Sequence, residues 1–144
     1  MSDLETKAKP WIESLLEPGA TGLTSEAQHL LSTWAVKGAM VLESLRADEL
    51  RVFTPEEREQ VRVGSVLPLQ TKVWVAKVVN PPGPMCEASD LFSRSPKTAA
   101  QVRGHVTTMG FGTLAIQVLT VRLPFAVSPS TDISAELRPG PWES

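Results

Sequence analysis

His29, His105 and Cys86 are the side chains of this 144-residue chain best suited to proton transfer, metal ligation or nucleophilic attack. Histidine titrates closest to neutral pH and is the commonest general base. A structural zinc site needs four nitrogen or sulfur ligands at close spacing, and no such cluster is present. A Ser/His/Asp arrangement is spatial and so stays open geometrically, but nothing has the form of a G-x-S-x-G elbow. His29 therefore reads as a helix-surface residue and His105 as an ordinary strand residue. Cys86 lies between Met85 and Glu87 with no adjoining base to favour its thiolate. We assign no catalytic residue, no cofactor-binding residue and no metal ligand, and expect no cofactor.

Other patterns have plain structural explanations. The pair Glu56-Glu57 suits acid–base work on paper, but follows Thr54-Pro55 in the form of a helix start. Pro81-Pro82-Gly83-Pro84 is short for a polyproline ligand and lacks a close basic flank, so a rigid connector is expected. Gly110-Phe111-Gly112-Thr113 has neither the lysine nor the strand-to-helix setting of a phosphate loop and reads as a turn. Arg58, Arg62, Lys72, Lys77, Arg103 and Arg122 are scattered, in the manner of a solvated face. Nucleic-acid binding is expected to be weak or absent.

The first half reads as helices. Leu4, Ala8, Trp11, Ile12, Leu15 and Leu16 recur at helical spacing, with Pro10 expected to kink the helix or start a second one. Glu17-Pro18-Gly19 ends it. Ser25 and Gln28 have the form of a capping box for a second, central helix carrying Leu30, Leu31, Trp34, Ala35, Val41, Leu42 and Leu45. Gly38 within it predicts close approach by another backbone. A third, short helix is expected from Thr54 to about Arg62.

The second half reads as strands. Lys72–Val79 is rich in Val and carries Trp74, and Asn80-Pro81-Pro82-Gly83 stops it. Residues 80–99 hold four prolines without a period and predict a long loop. Gln101–Met109 and Thr113–Leu123 are two further strands joined at Gly110-Phe111-Gly112. The segment 128–144 is proline-rich and is expected to be a weakly docked tail on a single domain spanning 1–127.

Composition bounds the class. The chain is 42% hydrophobic and 21% charged, which excludes wholesale disorder and fibrous architectures. One cysteine excludes an intrachain disulfide framework. The formal charge is −2, unlike a strongly basic nucleic-acid binder. Eleven acids face seven bases in residues 1–63, against five and seven in 64–144. No apolar run is long enough to span a membrane, and the start Met1-Ser2-Asp3-Leu4-Glu5 lacks the basic, then apolar, pattern of a signal peptide. A cytoplasmic location is expected.

Several strings carry a resemblance. They are Met1-Ser2-Asp3-Leu4-Glu5, Ala8-Lys9-Pro10, Leu31-Ser32-Thr33-Trp34-Ala35-Val36-Lys37-Gly38-Ala39-Met40-Val41-Leu42-Glu43, and Phe53-Thr54-Pro55-Glu56-Glu57-Arg58 leading to Val73-Trp74-Val75-Ala76. Together they resemble the region downstream of the zinc finger in bacterial, often actinobacterial, HNH-endonuclease-like proteins. The likeness covers about residues 1–79. It implies a zinc knuckle upstream of residue 1, with Met1 matching an internal methionine of the relatives. The His, Asn and paired Cys of the nuclease module are absent, so no catalytic residue carries over.

The expected fold is α+β, with two to three N-terminal helices packed on one face of a small antiparallel sheet. The central helix should face Trp74, Val78, Ile116 and Val118. The expected function is a non-catalytic accessory or interaction domain, with an HNH-like zinc-finger module or another protein as partner. The alternatives are a free-standing protein-binding module and a small enzyme using the proline-rich loop as a lid.

Overall fold

A computed structural model describes residues 2–19, 22–64, 66–94 and 101–123. Three helices precede a four-stranded antiparallel sheet, giving an α+β fold. Helix α1 (Asp3–Leu16) opens with a reciprocal capping box. The Glu5 carboxylate accepts the Ser2 backbone N–H at 2.7 Å, and the Ser2 hydroxyl accepts the Glu5 N–H at 3.4 Å. Pro10 lies inside one continuous helix and does not start a second one. Proline removes one N–H, and the carbonyl it would have reached belongs to Thr6, an exposed residue that water can serve. Ala8 and Leu15 are buried on the opposite side.

Helix α2 (Ser25–Glu43) begins one residue earlier than the sequence suggests. Thr24, not Ser25, is the N-cap, accepting the Ala27 N–H at 3.2 Å. Gln28 turns instead to the Leu23 carbonyl at 3.0 Å. Leu31, Ala35, Val36, Ala39 and Met40 form the buried stripe. Gly38 admits a side chain rather than the expected backbone: a Cβ there would sit 3.3 Å from Met109 Sδ. Helix α3 (Pro55–Gly64) has the expected start, with Thr54 and Glu57 exchanging backbone-to-side-chain bonds of 2.9 and 3.2 Å.

The strands are β1 (Thr71–Lys77), β2 (Met85–Arg94), β3 (Gln101–Phe111) and β4 (Leu114–Arg122), in the order β1-β4-β3-β2. The long loop expected over 80–99 is corrected by β2, which pairs with β3 from Met85↔Gly110 to Arg94↔Gln101. A strand at the rim of the described sheet needs apolar content on one face at most, so its mixed sequence hid it. The β3–β4 turn is also tighter than expected. Only Gly112 and Thr113 lie between paired Phe111 and Leu114, and Gly112 takes φ +55°, where Gly fits best.

Paired residues share a sheet face. Val73, Ile116 and Val118 therefore lie together and join the helices in one core with Leu31, Val36, Met109 and Leu114. Ile116 and Val118 face α2 as expected. Trp74 does not: it pairs with Gln117 on the other face, and Val73 takes its place. Val78 follows β1 and has the same parity as Trp74. The 128–144 tail and residues 95–100 of the expected loop lie outside the described residues.

Candidate functional site

The sheet brings Asp90 to His105 and Thr107, fifteen and seventeen residues further along the chain. His105 on β3 is 1% exposed. Its Nε2 lies 3.0 Å from the Thr107 hydroxyl, and its Nδ1 lies 3.4 Å from Asp90 Oδ1 on β2. Arg46, just past α2, bonds Asp90 Oδ2 and donates to the Ala88 carbonyl at 2.7 Å. Hydroxyl, imidazole and carboxylate thus stand in the order of a nucleophile relay. A proton on Nδ1 facing the carboxylate leaves Nε2 to accept from the hydroxyl. Burial decides what this can do. Thr107 has no exposed surface, and a nucleophile must touch its substrate. The trio consequently ties β2, β3 and the end of α2 into a satisfied polar network.

The other candidates are dispersed. His29 is exposed on α2. Cys86 is exposed on β2, opposite Met109, rather than in a loop. Glu57 closes the α3 cap and also pairs with Arg122, while Glu56 is exposed. The arginines bind the chain's own backbone and acids. Arg122 donates to the carbonyls of Val52 and Leu69 at 3.1 and 3.0 Å. Arg103 donates to the Glu49 carbonyl and lies over Phe92, and Arg62 pairs with Glu59. Arg58 pairs with the fully buried Glu43, whose carboxylate also accepts the backbone N–H groups of Val52 and Phe53. Removing one partner of such a buried pair typically costs about 3–5 kcal/mol.

Three elements leave a different kind of surface. The end of α1, the start of α2 and β1 frame an open groove of about 380 Å³. Its apolar lining includes Leu15, Leu23, Leu31, Val73, Val75 and Leu114. Lys77 also lines it, its ammonium donating to the Leu15 and Glu17 carbonyls at the C-terminus of α1, where a cation is favoured.

The groove runs beside the outer edge of β1. Antiparallel strands alternate residues that bond inward with residues that point outward. The bonds Val121 N–H to Gln70 and Val78 N–H to Thr113, at 3.1 and 2.8 Å, set that alternation. Gln70, Trp74 and Val78 bond toward β4, so the N–H and C=O groups of Val73 and Val75 point away from it. Among the described residues they meet no backbone partner.

No protein-family model, curated protein or solved structure matches this chain. Among the described residues no three His, Cys, Asp or Glu side chains cluster as a metal site, and no helix is long and apolar enough to cross a membrane.

Sequence reasoning missed both the trio and the groove. Asp90 fell in the segment read as loop, so nothing aligned it with His105. The available signal was the pair His105 and Thr107 on one face of a strand, two polar residues at a spacing that a buried face seldom tolerates without a partner. The groove had no signal, because its walls come from three separated segments.

Proposed function

We propose that this chain is a non-catalytic interaction domain that binds another protein. One observation carries the reading: the groove beside β1 combines apolar lining with backbone donors and acceptors of Val73 and Val75 that meet no backbone partner among the described residues, while the one hydroxyl–imidazole–carboxylate set among the described residues is sealed. Exposed strand edges recruit extended chains unless they are blocked. Chemical cross-linking of the tagged chain in cells that natively make it, read by quantitative mass spectrometry, tests this. A protein cross-linked through α1, α2 or β1 is expected. Recovery of the chain alone, as a monomer, would overturn the reading.

The resemblance supports a specific partner. The strings over residues 1–79 are similar to the part of HNH-endonuclease-like proteins that follows their zinc finger. We accordingly propose an accessory role to such a module, in the cytoplasm of a bacterium. Mixing the purified chain with a zinc-loaded HNH-like module from the same genome is expected to give a stable complex on gel filtration. Separate elution at micromolar concentrations removes this assignment and leaves the general one intact.

A further inference from the structure

We infer that the outer face of the sheet is a docking surface for the chain's own C-terminal segment, residues 124–144. This goes beyond the interaction-domain reading and does not depend on it. Side-chain alternation puts Trp74, Leu91, Val102, Val106, Leu119 and Val121 on the face turned away from the helices. An antiparallel sheet with one face in water carries mostly polar residues on that face. Here the two central strands are apolar on it, from Val102 to Val106 and from Leu119 to Val121.

Burial says that this face is covered. Leu119 and Val121 are 3% and 7% exposed, yet both lie outside the core that α1, α2 and α3 build with Ile116 and Val118 on the other side. That burial is reached within a single chain, so the cover belongs to the same chain rather than to a second copy. Residues 95–100 join β2 to β3 and hold nothing apolar larger than Pro96. Residues 124–144 hold Phe125, Val127, Ile133, Leu137 and Trp142.

The segment also starts in the right place. β4 ends at Arg122, and Leu123 has the parity of Leu119 and Val121. Pro124 has no N–H with which to extend the ladder, so the chain leaves β4 beside that face. Crossing from β1 to β2 spans three strand spacings, about 15 Å or about five extended residues, well within the segment's length. Phe125 and Val127 are the first apolar groups to follow, and we assign them to Val121 and Leu119. Displacing the segment would bare an apolar patch of the kind that recruits other proteins, so its docking keeps this face out of use.

Methyl and aromatic NMR on the full chain tests this. A soluble paramagnetic agent reports exposure, and mixing differently labelled copies separates contacts within a chain from contacts between chains. In the wild-type chain the Leu119 and Val121 methyls should be as protected as those of Val118, with nuclear Overhauser contacts to Phe125 or Val127 of the same chain. Phe125→Ser combined with Val127→Ser should raise relaxation at Leu119 and Val121 to the level of exposed Val75, leaving Ile116 and Val118 unchanged. Wild-type Leu119 and Val121 relaxing like Val75 would overturn the inference. So would contacts that come from residues 95–100, or only from a second copy. Protection that survives the double substitution in a folded chain would remove Phe125 and Val127 as the docking groups. The wild-type contacts decide the matter even if the double variant unfolds.

Discussion

His105 shows how one residue's surroundings decide between chemistry and structure. Its two ring nitrogens face a hydroxyl and a carboxylate, yet Thr107 is sealed beneath the helices. Thr107→Val keeps the shape and removes the donor, leaving Nε2 buried without a partner. We expect a loss of about 1–3 kcal/mol in urea unfolding. No measurable loss would mean that water already serves the ring. Glu5 offers a second residue-scale prediction. The Ser2 backbone N–H, with smaller help from the Ser2 hydroxyl and Lys37, holds its carboxyl below the usual glutamate range against the opposing effect of burial. A depressed acid pKa stabilises the fold above the unfolded value, and that contribution is lost as pH falls through the folded one. Side-chain NMR titration should therefore find Glu5 titrating below the usual glutamate range, with the Ser2 amide shifting over the same pH range. A Ser2 amide that does not follow Glu5 would mean the capping box is open in solution.

At the scale of elements, helix starts are local and strands are not. The α3 cap was readable because Thr54, Pro55 and Glu57 each do one local job. The α2 cap lies one position earlier than Ser25, since Thr24 and Ser25 are both good caps and nothing in their types separates them. Thr24→Ala is expected to lower stability by about 1 kcal/mol, and Ser25→Ala by less than about 0.5 kcal/mol. Thermal denaturation of the two variants distinguishes the caps, and the reverse ranking would restore Ser25. Strand β2 was illegible for a different reason. Pro81, Pro82 and Pro84 precede it, and Cys86, Glu87, Ser89 and Asp90 make its sequence look like loop. Pairing with β3 supplies what its own composition does not.

Across the whole molecule, Arg122 joins parts that no single element connects. From the end of β4 it reaches the Val52 carbonyl after α2, Glu57 on α3 and the Leu69 carbonyl before β1. Lysine carries the charge but lacks the planar fork needed to serve three acceptors at once. Arg122→Lys should cost about 1–3 kcal/mol with an unchanged denaturant slope, because the core itself is untouched. A fall in slope would show that helices and sheet unfold separately in the variant. The same molecular scale produces the groove at β1, since helices from the first half of the chain overhang an edge from the second.

The sequence by itself determined the elements with local causes. Periodic apolar residues specify α1 and α2, a capping box specifies α3, and valine-rich runs specify β1, β3 and β4; these were enough for an α+β fold with helices on one side of an antiparallel sheet. Side-chain period and turn chemistry act over a few residues, so one sequence suffices to read them. Tertiary structure alone decided the rest: that Val73 rather than Trp74 faces the core, that β2 exists, that Asp90 meets His105, and that the backbone groups of Val73 and Val75 point away from β4 beside a groove. Each of those facts depends on register between distant strands. A shift of one residue inverts every side chain in a strand, and nothing local records which register the packed core will choose.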